Sequence, residues 1–299
     1  MINDAHCHFF STHFFAALGR GLPDADHAAP EKRALAALAW DAPGTPDQLA
    51  DRWVAELDRH GVSRAAVIAS VPGDAESVAA AARRHPARRV GFVMVDPTQP
   101  AALVDAAASI DRDNLRAMCL FPAMHRYDLQ DDHVRRLFAV AAARPGTAVF
   151  VHSGVLSVGV RKKLGLPSPF DIRFGNPLGL HALALAHPLV PIIIPHFGAG
   201  MLREALMVAD LCPNILFDTS SSNGWIKYVP GLTLEAVFRQ SLAVLGPDRL
   251  LFGSDSSFFP RGWVKDVYEQ QTAALDSLGV DTGVKEKIFG GNFERVFPV

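Results

Sequence analysis

The chain has 299 residues, of which 49% are hydrophobic and 20% are charged, and its formal net charge is −2. The hydrophobic content is ample for a large core. The near balance of 29 basic and 31 acidic residues gives no reason to expect a nucleic acid or an acidic membrane surface as a partner. No apolar stretch approaches the ~18 residues that a membrane-spanning helix needs.

The cysteine pattern and the N-terminus bear on the cellular compartment. Cys7, Cys119 and Cys212 are odd in number and widely spaced, which argues against a disulfide framework and favours a reducing compartment. Asp4 and His6 interrupt the place where a secretory leader would have its basic region and apolar run. We therefore expect a soluble, cytoplasmic protein.

Short β-branched and apolar segments alternate with Ala- and Leu-rich segments of helical period along the whole chain. Several strand segments are almost continuously apolar, as expected for parallel strands that helices cover on both faces. Thr, Asp or Pro begins most of the helical segments, and Gly or Pro follows them. The predicted strands are 2–6, 64–70, 90–95, 115–121, 147–152, 191–196, 214–218 and 249–254, and the predicted helices are 46–60, 74–85, 99–110, 131–143, 177–186, 200–211, 233–245 and 263–278.

Eight strands that alternate with helices predict an α/β fold, either an open doubly wound sheet or a closed (β/α)8 TIM barrel. A count of eight in a chain of this length favours the barrel, and no glycine-rich phosphate loop follows the first strand. We expect one TIM-barrel domain over residues 1–299. Two connections, at about 9–45 and 153–176, are much longer than the ~2–6 residues usual for such loops, and both follow the carboxyl end of a strand.

Polar residues stand at the ends of four predicted strands. His6 and His8 end the first strand and, being two residues apart, point to the same side. His152 ends the fifth strand, His196 ends the sixth, and Asp255 follows the eighth. In a closed barrel these ends converge at one rim. Imidazole and carboxylate ligands together suit zinc, manganese, iron or cobalt better than calcium or magnesium.

The motifs around these residues resemble the amidohydrolase superfamily. They are DAHCH at 4–8, LRAMCLFPAMHRYDLQDD at 115–132, VFVHSG at 149–154, IIIPHFGAG at 192–200, FGSDSSF at 252–258 and GGNFERVF at 290–297. The closer resemblance is to the amidohydrolase-related branch, which includes aminocarboxymuconate-semialdehyde decarboxylase and the resorcylate-type decarboxylases. It covers nearly the whole chain.

This resemblance implies a metal-dependent enzyme with one divalent cation, zinc first and manganese second, held by His6, His8, His152 and Asp255. It also implies that Asp255 and His196 are the catalytic residues that handle protons beside the metal. Binuclear members bridge two metals with a lysine on strand 4, whereas this chain has no lysine between Lys32 and Lys162. We therefore expect a single metal.

The substrate contacts are expected to come from the long loops. Arg161 and Arg173 lie in the second loop, where an arginine could hold a substrate carboxylate through two parallel hydrogen bonds. His13 in the first loop and Phe258 after the eighth strand are candidates for the pocket wall. The expected partner is a small-molecule substrate, a carboxylic acid or its derivative, with a homodimer as one candidate assembly.

Three functions fit these residues. The first is hydrolysis of an amide, ester or lactone of a small organic acid by a metal-activated water. The second is non-oxidative decarboxylation of a small aromatic or unsaturated acid at the same metal site. The third, which an intact ligand set disfavours, is a non-catalytic metal-binding barrel.

Overall fold

The computed structural model describes residues 1–23, 28–257, 259 and 261–299. Eight parallel strands form one sheet in the order in which they occur along the chain. The strands are β1 (Ile2–Phe9), β2 (Val62–Ala69), β3 (Arg89–Val95), β4 (Ala117–Leu120), β5 (Ala148–Val151), β6 (Ile192–Ile194), β7 (Ile215–Asp218) and β8 (Leu250–Leu251).

Helices follow the strands, as expected for a (β/α)8 barrel. The eight predicted helices correspond to α3 (Pro46–Arg59), α4 (Ala75–Arg84), α5 (Ala102–Asp111), α7 (Asp132–Ala142), α9 (Leu180–Ala186), α10 (Leu202–Leu211), α11 (Leu234–Leu245) and α12 (Lys265–Ser277). The remaining helices are α1 (Thr12–Arg20), α2 (Pro30–Leu38), α6 (Pro122–His125), α8 (Gly159–Lys163), α13 (Thr282–Glu286) and α14 (Asn292–Val296). No helix in the described part of the chain is both long and apolar enough to cross a membrane.

The two long connections carry helices of their own. The first contains α1 and α2, and the second contains α8. Ser11 caps α1 by accepting a hydrogen bond from the backbone N–H of Phe14. The apolar side chains of both connections pack together in a cluster separate from the barrel core, formed by Phe10, Phe14, Phe15, Leu18, Ala34, Leu35, Val160 and Leu166. We call this cluster the roof.

Side chains alternate between the barrel interior and the layer of helices around it. On β2, for example, Ala66 and Ile68 point inward, whereas Val67 and Ala69 pack against the helices. The other strands alternate in the same way. The interior is filled by Ala5, Ala66, Ile68, Val90, Phe92, Met94, Ala117, Cys119, Phe121, Ala148, Phe150, Ile193, Leu216 and Leu251, with Phe293, Val296 and Phe297 also in this cluster.

The barrel closes between β1 and the segment that follows β8. β8 is only two residues long, but the backbone continues alongside β1 through hydrogen bonds from Ala5 N to Phe252 O (2.8 Å), from Asp255 N to His6 O (2.9 Å) and from His8 N to Ser256 O (2.7 Å). A parallel bridge pairs Cys7 with Ser256. These bonds place the end of β8 directly beside the His6-to-His8 segment.

The buried carboxylate of Asp4 holds this closure together. It accepts hydrogen bonds from the backbone N–H of His6 (2.9 Å) and of Ser254 (3.0 Å), from the Ser254 hydroxyl and from the indole N–H of Trp263 (2.7 Å). Burial raises the pKa of Asp4, and these donors counteract that rise by stabilising the anion. The carboxylate therefore links β1 to the chain on both sides of Asp255.

We expect Trp263→Phe to destabilise the protein more than Trp225→Phe does. Both buried indoles donate a hydrogen bond, but Trp263 donates to the Asp4 carboxylate and Trp225 to the neutral side-chain oxygen of Asn223, 3.0 Å away. Removing a hydrogen bond to a charged group costs about 1.5–3 kcal/mol, against about 0.5–1.5 kcal/mol for a neutral one. Urea unfolding measures both, and equal losses would contradict the role given to Asp4.

Candidate metal centre and catalytic cavity

The alternation of side chains explains which residues reach the centre of the rim. On β5, Ala148 and Phe150 point into the barrel, so His152 is the next inward position. On β7 and β8, Leu216 and Leu251 point inward, and the inward positions that follow are Asp218 and Ser220 on one strand and Gly253 and Asp255 on the other. On β1 the pairing with β2 shifts by one residue between Asp4 and Cys7. Cys7 and Phe9 then face the helices, and His6 and His8 face the centre.

Three of the predicted ligand atoms converge on one point. His6 Nε2 lies 3.3 Å from His8 Nε2 and 3.6 Å from Asp255 Oδ1, and His8 Nε2 lies 3.4 Å from the same oxygen. Ligands 2.0–2.1 Å from a tetrahedral zinc ion are about 3.3 Å apart, so these edges fit such an ion. The side chain of His6 is 1% exposed, but His8 and Asp255 are 19% and 33% exposed, which opens the group to a ligand from the cavity.

The hydrogen bonds on the far sides of the two imidazoles decide which nitrogen carries the proton. His6 Nδ1 lies 2.6 Å from Asp218 Oδ2, and because a carboxylate only accepts, Nδ1 donates and Nε2 keeps its lone pair. His8 Nδ1 lies 3.0 Å from the hydroxyl of Ser70, which itself donates to the carbonyl of Ile68. Ser70 therefore accepts from His8, and His8 Nε2 also keeps its lone pair.

Three lone pairs thus face one another within 3.6 Å, from His6, His8 and Asp255. Such an arrangement is repulsive without a cation or a proton at its centre, because no group in it donates. The donor set, two imidazole nitrogens and one carboxylate oxygen, is one that a first-row divalent metal accepts. The residues present therefore fit a divalent metal.

His152 lies beside this group but is not part of it. Its ring centroid is 5.2 Å from that of His196 and 5.5 Å from that of Phe121. Burial lowers the pKa of His152 well below its usual value, helped by His196 and His6, so its ring is neutral. Its Nδ1 is buried and, among the described residues, finds no hydrogen-bond partner. A buried nitrogen left without a partner is costly, and coordination of a metal would satisfy it.

His196 does not follow the regular strand. It and Asp255 have positive φ angles of 55° and 58°, a region that residues other than glycine seldom occupy. The turn after β6 brings the buried His196 ring against the His6 ring, with centroids 5.0 Å apart. Backbone strain of this kind concentrates at functional sites, where packing and hydrogen bonds maintain it.

Burial and the neighbouring charged groups shift the pKa values of the residues in the centre. Burial lowers the pKa of His6, but attraction to Asp218, Asp255 and Asp4 more than offsets this, so its pKa lies above the usual value. Burial raises the pKa of Asp255, but the neighbouring imidazoles of His8, His6 and His196 bring it well below its usual range. Burial lowers the pKa of His8 and of His196. Asp255 is thus an anion among imidazoles.

A cavity of about 320 Å³ opens onto this centre. The first connection and the end of β4 supply aromatic walls, and the second connection supplies aliphatic ones. Its cationic lining side chains, among the described residues, are Lys163 and Arg261. The residues that line it are His8, Phe10, Phe14, Trp40, Ser70, Met94, Phe121, Met124, His152, Leu156, Ser157, Val158, Gly159, Val160, Lys163, His196, Asp255, Ser257 and Arg261.

Three of the residues predicted to contact the substrate do not line this cavity. The guanidinium of Arg161 donates to the carbonyl of Pro167, that of Arg173 pairs with Asp171, and neither lines the cavity. His13 is 70% exposed, contacts Asp74 and is also outside the lining. Phe258 lies outside the described residues. In this structure the hydrogen bonds above hold the two arginine side chains outside the cavity lining, and His13 likewise lies outside it.

Sequence reasoning missed three residues of the centre. Asp218 orients His6, Ser220 contacts the rings of both His6 and His196, and Gly253 leaves room for them. A Cβ at residue 253 would lie 2.7 Å from Asp218 Oδ1 and 2.8 and 2.9 Å from the Cβ atoms of Ser220 and His6. The alternation of side chains along the strands could have identified them, since all three occupy inward positions at the ends of their strands.

Comparison with known proteins relates the chain to one family. The family described as Amidohydrolase matches residues 3–299. The curated protein fluG of Emericella nidulans is 26% identical over 192 residues, which are 62% of this chain and 20% of fluG. The chain thus spans about a fifth of the length of that curated relative.

Solved structures resemble the chain over its whole length. The 5-carboxyvanillate decarboxylase LigW from Sphingomonas paucimobilis has a TM-score of 0.65 at 18% identity, and a probable 2-pyrone-4,6-dicarboxylic acid hydrolase from Acinetobacter baumannii has 0.64 at 14%. An amidohydrolase from Burkholderia multivorans with bound zinc has 0.66 at 16% identity. Each alignment covers 100% of this chain and 99% of the other. At such low identity these likenesses establish the barrel fold.

The predicted family and fold are therefore both confirmed. Enzymes of this family generally use a divalent metal, which the group of His6, His8 and Asp255 fits. Because the family match runs over almost the entire chain, the protein is an enzyme that belongs to the amidohydrolase family.

Proposed function

We propose that the protein is a metal-dependent hydrolase that cleaves an amide, ester or lactone of a small organic acid. The observation that carries this proposal is the convergence of three lone pairs, from His6, His8 and Asp255, at a point open to an apolar cavity. Two of the three are set by hydrogen-bond partners, Asp218 and Ser70, that hold the proton on the far side of each ring.

We propose one metal ion, with zinc as its identity and manganese as the alternative. His152 is the fourth ligand in this proposal, because its neutral ring and unpartnered Nδ1 lie beside the group. Two or three imidazoles and one carboxylate are a common catalytic zinc set. The zinc-binding amidohydrolase of similar fold supports the same choice. By the family resemblance, Cys119, buried on β4, stands near the strand-4 position where binuclear relatives have a lysine, which supports a single metal.

The side chains around the proposed metal have different roles in the reaction. A bound divalent cation supplies Lewis acidity, which allows water to act as a nucleophile near neutral pH. Asp255, whose carboxylate is an anion in contact with the cavity, accepts a proton from that water. His196 lies against the cavity and either polarises the substrate oxygen or transfers a proton to the leaving group.

The cavity supports a small acid as substrate. Its aromatic and aliphatic walls suit a flat apolar body, and Lys163 and Arg261 place positive charge at its lining. These two side chains replace Arg161 and Arg173 as our candidates for contact with a carboxylate. Lys163 also lies over the ring of Trp40, 5.1 Å from its centroid, which positions it at the roof.

Decarboxylation of a small aromatic or unsaturated acid is the second candidate function. The apolar walls favour it, because removing water from a carboxylate destabilises the charged reactant relative to a transition state in which the charge is dispersed. The similar fold of a decarboxylase is consistent with it. The metal centre serves both reactions, so products must separate them.

We place the enzyme in the cytoplasm, where its free and buried cysteines would stay reduced. A homodimer is our candidate assembly.

We expect the purified protein to contain about one divalent metal per chain, and His6→Ala and His8→Ala to remove most of it, because each deletes one ligand of the set. Elemental analysis of each variant after dialysis measures the metal. His133→Ala is the matched control, since His133 is an exposed histidine on helix α7 and is not at a strand end. Metal retained at the wild-type level in both ligand variants would refute the site.

We expect Asp255→Asn to lower kcat by about 10²–10⁴-fold, because the amide cannot accept a proton. Asp96 directly follows β3 but does not line the cavity. Asp96→Asn should therefore leave kcat near wild type. The assay follows 4-nitrophenyl acetate and a panel of lactones, with carbon dioxide release from hydroxybenzoates measured in parallel. Turnover with carbon dioxide alone favours the second candidate, and full activity in Asp255→Asn contradicts both.

A further inference from the structure

The hydroxyl of Ser220 lies between two imidazole rings. Its Oγ is 3.0 Å from His6 Nδ1 and 2.9 Å from His196 Nδ1, and the side chain is fully buried. Among the residues that the structure describes, these two nitrogens are its hydrogen-bond partners. A hydroxyl has one hydrogen to donate, so the two rings decide where it points.

His6 cannot receive that hydrogen. Its Nδ1 lies 2.6 Å from Asp218 Oδ2, and the carboxylate only accepts, so His6 Nδ1 carries its own hydrogen. The backbone N–H of Ser220 fixes the other oxygen of Asp218 at 2.7 Å, which keeps the carboxylate in place. Ser220 Oγ can therefore accept from His6 but cannot donate to it.

The nitrogen that remains is His196 Nδ1. If that nitrogen also carried a hydrogen, the Ser220 hydroxyl would face two donors, and a buried hydroxyl without an acceptor costs about 1–3 kcal/mol. The alternative partner of His196 Nδ1 is the backbone carbonyl of Ser220, at the longer distance of 3.2 Å. Satisfying the hydroxyl thus requires that His196 Nδ1 accept.

We propose that Ser220 acts as a positioning residue that holds the neutral ring of His196 with its hydrogen on Nε2. Because Nδ1 faces Ser220 and His196 lines the cavity, Nε2 is the nitrogen on the cavity side. His196 then presents a hydrogen-bond donor to whatever occupies the cavity. The His6 Nδ1 hydrogen points to Asp218, and the Ser220 hydroxyl donates to His196.

With its hydrogen on Nε2, His196 can donate a hydrogen bond to a substrate in the cavity. The catalytic use of that hydrogen bond rests on the proposed function. A fixed N–H beside the metal stabilises negative charge that develops on a substrate oxygen, which is a large contribution to catalysis where water is excluded. The neutral ring in this form does not serve as the base at Nε2. The proton from water is therefore left to Asp255, the carboxylate in the lining.

Long-range ¹H–¹⁵N spectra of ¹⁵N-histidine-labelled, zinc-loaded protein test the assignment, since they identify the protonated nitrogen of each ring. His196→Gln identifies the signals of His196 among the 12 histidines. We expect hydrogen on Nε2 in the wild type. In Ser220→Ala only the backbone carbonyl remains as a partner, so the hydrogen should move to Nδ1. Ser222→Ala, an exposed serine of the same loop, should leave the pattern unchanged.

Hydrogen on Nδ1 in the wild type would overturn the proposal by itself, whether or not the variant folds. An unchanged pattern in Ser220→Ala would show that Ser220 does not set it. The same spectra of chelator-treated protein separate the two proposals, because the hydrogen bonds among Asp218, His6, Ser220 and His196 involve no metal. Absence of metal binding or hydrolysis would contradict the proposed function and leave this measurement intact.

Discussion

The proposed metal centre depends on how the barrel closes between β8 and β1. Asp255 is placed by the hydrogen bond from its own backbone N–H to the carbonyl of His6, so the carboxylate and the imidazole share one local framework. β8 itself is too short to secure this contact, and the Asp4 carboxylate supplies the missing links to Ser254 and Trp263. Loosening this closure would move Asp255 away from His6, because the backbone hydrogen bond between them sets their separation.

A second constraint is that a closed barrel offers few inward positions at its rim. Each strand contributes one or two, and at β1, β5, β7 and β8 they are occupied by His6 and His8, His152, Asp218 and Asp255. So many polar groups in a small volume would be unfavourable unless each had a partner. Hydrogen bonds on the outer sides of the rings satisfy His6 and His8, and the unpaired atoms point to the centre, where the proposed cation would compensate them.

The strands and the rim residues could be predicted because both follow from short-range pattern: apolar runs mark strands, and parallel strands put their carboxyl ends on one side. The same reasoning overlooked Asp218, since a single aspartate after an apolar strand is also a common turn residue. The direction of Arg161 and Arg173 could not be predicted, because it depends on how α8 and the following turns pack. His196 also departs from strand alternation, and only the observed backbone at positive φ brings its ring inward.

The roof and the metal centre are built from different parts of the chain, and this separation bears on specificity. The side chains of the centre lie at strand ends and are held by the buried Asp218 and the partly buried Ser70. In contrast, Phe10, Phe14 and Val160 belong to a cluster formed by the two long connections. The Phe10 ring of the roof lies beside the His8 ring, with centroids 5.9 Å apart. A change in the roof away from Phe10 would therefore reshape the cavity with little effect on the proposed ligands. One metal centre could thus serve hydrolysis or decarboxylation, with the choice made by how the roof orients the acid against Asp255 and His196.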